Sequence, residues 1–212
     1  MIKRLNLGMV NAYLIEGDKG TILVDTGFIN NRDKLVSMLK NIDLKLIILT
    51  HGHGDHIANA RYISEKFDVP IAMHEDDFAL ARDNSINQLY ADTFFGYLLR
   101  KVSKMGPQDK IEVFTPEIFL ENGMDLSDYG VSAKVIHVKG HTEGSIALLV
   151  GKDEIIVGDT FMNYFKPTKA RIYEDKQELM KSLKLIEETG AKKIYPGHGQ
   201  PIDAKKFFDL HK

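Results

Sequence analysis

Three of the eight histidines fall within seven residues, Thr50-His51-Gly52-His53-Gly54-Asp55-His56. In an extended segment, residues two apart point to the same side, so His51 and His53 can converge on one cation. Asp55 and His56 can then face a second cation from the other side of the turn. Gly52 and Gly54 put no side chain in the way of an ion. Three further groups share this small-residue setting: His141 in GHTEGS, Asp159 in VGDT and His198 in YPGHG. Imidazole and carboxylate together suit zinc, and they also accept iron or manganese. Five neutral imidazoles and two carboxylates against two divalent ions and one hydroxide sum to about +1, a site that favours an oxyanion. A coordinated water has its pKa lowered to about 7, so such a site makes its nucleophile without a serine or cysteine.

Each group must be carried by an element, and the sequence shows which. The apolar run 45–50 reads as a buried strand ending at His51. Strand-like runs at 131–138, 154–157 and 193–195 end just before His141, Asp159 and His198. If those strands lie in neighbouring sheets, their carboxyl ends gather all seven groups at one rim. Further strands are expected at 10–16 and 21–25 around a Gly17–Gly20 turn, at 70–73 and at 145–150. Helices are expected at 31–40, 56–67 and 174–189, with a short one closing the chain. The stretch 75–110 reads as a helical insertion, rich in aromatic residues between 89 and 99, either extra core and dimer surface or a hydrophobic lid. Together these predict an α+β fold in one domain spanning 1–212, with sheets packed together and helices outside.

Bulk properties narrow the function. Lys and Arg number 28 against 30 Asp and Glu, a net charge of -2, which lacks the basic footprint of a nucleic-acid binder. There are no cysteines, which excludes disulfides, thiolate zinc sites and a cysteine nucleophile. No run approaches the roughly 18 apolar residues of a membrane helix, and the first residues lack a signal-peptide core. A cytoplasmic protein acting on a small molecule is the expectation. His74, His137 and His211 are read as packed or surface histidines. Asp25, in LVDTG, is a candidate to hydrogen-bond and orient one of the ligand histidines.

The motifs NAYLI, LVDTG, THGHGDH, GHTEGS, VGDT and PGHG, in that order, resemble the metallo-β-lactamase superfamily over nearly the whole chain, and most of all its glyoxalase II-type hydrolases. That resemblance implies an αββα four-layer sandwich, two mixed sheets flanked by helices, with a binuclear site at one edge. It implies a first metal on His51, His53 and His141, a second on Asp55, His56 and His198, and Asp159 bridging both. Asp55 and Asp159 would be the catalytic carboxylates. The implied reaction is attack by a metal-bridging hydroxide on the carbonyl of a thioester, ester or lactone; phosphodiester cleavage at the same site is the alternative. β-Lactam hydrolysis and a non-catalytic metal-binding role rank lower. Tyr164, Lys166 and Arg171, following the bridging aspartate, are the candidates to touch an acyl substrate. A homodimer is compatible with this reading.

Overall fold

Alternation of apolar residues along the strands builds two stacked sheets. The computed structural model describes residues 1–86, 88–103 and 111–210. It opens with β1 (Ile2–Asn6), β2 (Asn11–Glu16) and β3 (Thr21–Val24), joined antiparallel. β4 (Leu44–Ile48), β5 (Ile71–Met73) and β6 (Ile118–Phe119) then add in parallel, completing a six-stranded mixed sheet in the order β1-β2-β3-β4-β5-β6. The second sheet uses β7 (Ala133–His137), β8 (Ile146–Val150) and β9 (Glu154–Ile156). After β10 (Phe161–Asn163) and β11 (Thr168–Lys169) come β12 (Lys193–Tyr195), β13 (His198–Gly199) and β14 (Ile202–Asp203). Its order is β14-β12-β9-β8-β7, with β9 and β12 parallel and the rest antiparallel; β11-β10-β13 form a small third sheet.

On β2, Tyr13 and Ile15 point between the sheets, where they meet Ile22, Val24 and Leu46 of their own sheet and Val135, Leu148 and Ile156 of the other. Ala12 and Leu14, one residue out of phase, point to the opposite face. There they pack with Leu35 and Leu39 of α1 (Arg32–Leu39). The same layer receives Ala60 and Ile63, from a helix following the histidine motif. The far face of the second sheet, through Ala147, Ile155 and Ile194, is covered by Leu183 and Ile186 of one C-terminal helix and Phe207 of another. The layers are therefore helix, sheet, sheet and helix, the four-layer sandwich that the resemblance implies. Each large aliphatic side chain buried in them stabilises by about 1.5–3 kcal/mol.

One expected helix is broken and the expected helical insertion comes in pieces, and both interruptions serve the histidine motif. The helix expected at 56–67 is instead α2 (Gly54–Ile57) and α3 (Ala60–Phe67). Between them Asn59 is buried, and its amide donates to Thr26 O at 2.9 Å and Phe28 O at 2.8 Å. Side-chain hydrogen bonds of this kind compete with a continuing helix. The insertion expected at 75–110 is helical, as several short segments. It divides into a 3₁₀ turn at Glu75–Asp77, α4 (Phe78–Arg82), a second 3₁₀ turn at Asn84–Ile86 and α5 (Phe94–Ser103). Asn84 ends the first part: its amide donates to Leu80 O at 2.7 Å and Gly52 O at 3.0 Å, and its oxygen accepts Gly54 N–H at 2.7 Å. Residues 87 and 104–110 of that expectation lie outside the described residues. The helix expected at 174–189 is α6 (Lys176–Glu188), begun by the Asp175 carboxylate capping Gln177 N–H and Glu178 N–H. The last is α7 (Ala204–Leu210).

Candidate metal centre

The ends of four strands meet at one rim. β4 delivers His51 and His53, and α2 begins on the turn that holds Asp55 and His56. β7 leads into His141, β9 into Asp159, and β12 into Pro196-Gly197-His198. A backbone bond from Ile146 N–H to Thr50 O, 2.9 Å, ties the two sheets together beside His51. Asn11 of β2 ties the third edge, donating through its amide to Pro196 O at 3.0 Å and Gly199 O at 2.9 Å. Gly197 is required sterically: a Cβ there would lie 2.3 Å from Asp159 Oδ1 and 2.7 Å from His56 Cε1.

All seven sequence-predicted residues converge, and all but the half-buried Asp55 are buried. Ligand atoms of His51, His53 and His141 lie within 4.8 Å of one another, as do those of Asp55, His56 and His198, and those of His51, His56 and Asp159. His53 Nδ1 is 3.0 Å from His141 Nε2. His198 Nε2 is 3.3 Å from Asp55 Oδ2 and 3.0 Å from Asp159 Oδ2. His56 Nε2 is 3.4 Å from Asp159 Oδ1, and His141 Nε2 is 3.7 Å from Asp159 Oδ2. Two ligands about 2.0–2.1 Å from a tetrahedral ion sit about 3.3 Å apart, which is the spacing seen. Nε2 of His51, Nε2 of His56 and Oδ1 of Asp159 are buried with no hydrogen-bond partner. Buried polar atoms are rarely left so, and bound cations would give each of the three its missing partner. The donor set therefore fits divalent metal.

The outer nitrogens fix which inner nitrogens face the cluster. The Asp25 carboxylate accepts from Thr50 N at 2.8 Å, from Thr50 Oγ1 at 2.9 Å and from His56 Nδ1 at 2.9 Å. Because the Thr50 hydroxyl proton is given to Asp25, its oxygen accepts from His51 Nδ1 at 3.0 Å. His141 Nδ1 donates to Ile172 O at 2.9 Å, and His198 Nδ1 donates to Met9 O at 2.7 Å. In four rings Nδ1 carries a proton toward its outer partner, and Nε2 is the nitrogen that faces the cluster. Asp25 holds this place at φ 60°, a conformation uncommon for a non-glycine residue.

Charge is divided across the site. Burial pushes His51 well below the usual histidine range, and it takes His53 down to about 3, each with help from neighbouring imidazoles. Burial also lowers His141. For His56, burial is outweighed by the carboxylates of Asp159, Asp55 and Asp25, which raise it to about 9. His198 is raised likewise, chiefly by Asp159. Asp55 and Asp159 are held well below the usual carboxylate range, since His56 and His198 outweigh their burial. Three histidines thus make a neutral half, and two histidines with two carboxylates make a polar half.

The remaining candidates surround the centre. Asp25 orients His56 directly and His51 through Thr50. The Tyr164 hydroxyl donates to Met9 O at 2.6 Å and lies 2.8 Å from His198 Nδ1, on the outer side of that ring. Lys166 is exposed. Arg171 stacks on Phe95, 4.9 Å from the ring centroid, so the insertion touches the segment whose Ile172 O holds His141. His74 and His137 are half-buried and stacked on each other; His211 lies outside the described residues. Sequence reasoning missed Asp77, a buried carboxylate accepting from Gly52 N–H, Gly144 N–H and Thr142 Oγ1, each at 2.7 Å. It joins the loop of His51 and His53 to the loop of His141. Its only signal is an acidic residue at a helix entry soon after a strand. Asn11, Asn59 and Asn84 were also missed, since a buttressing amide has no spacing of its own.

The chain is similar in sequence and fold to known proteins. The metallo-beta-lactamase superfamily model matches residues 5–198. The chain belongs to the metallo-beta-lactamase superfamily. It is 29% identical over 204 residues to a protein of Methanocaldococcus jannaschii described as probable metallo-hydrolase MJ0888, covering 93% of this chain and 91% of that one. It is 25% identical to the beta-lactamase-like protein 2 homolog of Caenorhabditis elegans, over 91% of this chain but spanning only 57% of that relative. Among solved structures, TTHA1623 in a di-iron-bound form superposes with a TM-score of 0.70 at 25% identity, covering 97% of this chain and 95% of the other. The BLEG-1 B3 metallo-beta-lactamase gives 0.78 at 24% identity, covering 99% and 97%, a likeness of fold.

Proposed function

We propose that this protein is a binuclear metal-dependent hydrolase acting on the carbonyl of a thioester, ester or lactone. The observation that carries the reading is Asp159, whose carboxylate reaches both halves of the cluster, with Oδ2 3.0 Å from His198 Nε2 and 3.7 Å from His141 Nε2. His51, His53 and His141 would hold one ion, Asp55, His56 and His198 the other, and Asp159 both. When bound, two divalent cations supply a water acidic enough to ionise near neutral pH and positive charge for a developing oxyanion. The imidazole and carboxylate donors admit zinc, iron or manganese, and the relative solved with di-iron supports keeping iron in view. The relatives described as probable metallo-hydrolases support hydrolysis in general.

The surroundings favour an acyl substrate whose leaving group departs unprotonated. The Tyr164 hydroxyl proton is given to Met9 O, so the acid best placed by sequence is turned away from the cluster. A thiolate leaves without such help. Met9, Phe28 and Phe165, on loops that hold His198 and His56 or follow Tyr164, expose apolar side chains suited to an acyl chain. The test is metal analysis joined to a panel of S-lactoylglutathione, simple thioesters, p-nitrophenyl esters, lactones and bis-p-nitrophenyl phosphate. Two ions per chain and thioester turnover are expected. Asp159→Asn should lose more than the roughly 10–100-fold that removing an outer partner of a metal ligand costs. A metal-replete protein that is inert to every carbonyl substrate, or faster on the phosphodiester, overturns the reading.

A further inference from the structure

A second group of metal-capable side chains stands apart from this centre. His74, Asp76 and His137 offer ligand atoms within 4.8 Å of one another. His74 directly follows β5, Asp76 lies in the 3₁₀ turn after it, and His137 is the last residue of β7, so the group spans both main sheets. The two rings stack, with centroids 3.8 Å apart and planes 29° from parallel. His137 Nε2 lies 2.8 Å from Glu143 O; a carbonyl only accepts, so the proton is on Nε2 and Nδ1 carries the lone pair. That is how the rings of the buried centre are held, with the roles of the two nitrogens exchanged. His74 Nδ1 accepts Asp76 N–H at 3.2 Å, so it too is unprotonated, and it lies 3.6 Å from Asp76 Oδ2. This is close to the separation of two ligands on a tetrahedral ion, about 3.3 Å. A cation already approaches the place: Lys139 Nζ is 3.4 Å from Asp76 Oδ2 and 2.6 Å from Glu143 Oε1. Its long side chain can give up Asp76 and keep Glu143.

We propose that His74, Asp76 and His137 form a third, exchangeable divalent-cation site, selective for zinc, nickel or copper(II) over calcium and magnesium. Two imidazoles and one carboxylate leave a fourth position for water, and nitrogen donors disfavour the hard cations. The site has a structural consequence for the buried centre. Asp76 is bonded in sequence to Asp77, whose carboxylate joins the loops of His51, His53 and His141. A cation that fixes the Asp76 turn to the end of β7 stiffens that junction, so it acts on stability and on retention of the inner ions. The proposal does not depend on the reaction assigned to the centre.

The test takes holoprotein with its inner ions in place, dialysed into metal-free buffer, and titrates zinc against a chromophoric competitor. One further zinc per chain is expected in the wild type, with a rise in Tm that magnesium does not produce. His137→Ala and Asp76→Asn should each lose that equivalent while keeping the inner ions by mass spectrometry. Asp159→Asn, disabled in the inner centre, should still take it up. The second variant guards against disturbance of β7 by the first. Wild-type protein that takes up no extra zinc, or variants that take it up equally, overturns the proposal.

Discussion

The buried centre and the outer cluster use the same residue types and differ in what stands behind them. Behind His51 and His56 is one carboxylate, Asp25, 1% exposed and accepting three hydrogen bonds; behind His141 and His198 are backbone carbonyls. The outer nitrogens of these four rings are spoken for before an ion arrives. In the outer cluster only His137 has such a partner. His74 uses the nitrogen that would bind metal to hold a backbone N–H, and Asp76 is shared with Lys139. Preorganisation costs strain and burial, visible as the positive φ of Asp25 and the unpartnered buried nitrogens. What it returns is affinity, because no group has to be reoriented on binding.

The largest effect that sharpens this contrast comes from Asp25→Asn. Asparagine tolerates a positive φ, so the backbone can persist. It keeps one accepting oxygen where three donors converge, and its amide faces N–H groups. Metal affinity of the buried centre should fall by about 10–100-fold, and stability by about 1–3 kcal/mol for the donors left unsatisfied. Competition with a chelator and denaturant titration measure the two. Unchanged affinity would mean that the carboxylate orients nothing, and that the two clusters differ only in burial.

Much of the centre was legible because its ligands follow strands whose apolar runs are long enough to recognise. Lys193–Tyr195 is found as expected, and the runs before His51, His141 and Asp159 differ only at their ends. The helix breaks were illegible because tertiary bonds made them. Asn59 and Asn84 act through carbonyls and amides distant in sequence, and neither α3 nor α4 differs in periodicity from a continuous helix. β6, β10, β11, β13 and β14 have two or three residues each, too few to show an alternation. The layering itself follows from a period of two along β2 and the apolar stripe of α6, both plain in the chain.

A smaller effect separates the clusters by pH. In metal-free protein, His53 is neutral in the fold down to about 3, whereas unfolded histidine takes up its proton near 6.5. Its contribution is present above 6.5 and is lost as pH falls from there toward 3. His56 is the reverse: raised to about 9, it stabilises below 6.5, and that stabilisation is lost as pH rises through 9. The metal-free protein should therefore melt highest near pH 6.5 and lower at pH 5 and pH 9. Divalent metal should lift the alkaline side most, because the imidazoles it binds are neutral. His137→Ala should leave this profile unmoved. A flat profile, or a variant that shifts it, would show that the titration is not seated in the buried centre.

The smallest effect decides what Tyr164 does. Its hydroxyl and His198 Nδ1 both donate to Met9 O, at 2.6 and 2.7 Å, so removing the hydroxyl leaves His198 its carbonyl acceptor and its inward-facing Nε2. Tyr164→Phe should then keep both inner ions and lose less than about tenfold in kcat/KM, equally on thioester and oxygen ester, as expected for a positioning residue. A general acid behaves differently. It contributes about 10²–10⁴-fold where the leaving group needs a proton, so its loss would fall on esters of poor alcohols and spare thioesters. The ratio of ester to thioester kcat/KM in the variant, set against the wild type, separates the two. A ratio that drops sharply moves Tyr164 from the support of His198 into contact with substrate, and requires its hydroxyl to leave Met9 O during turnover.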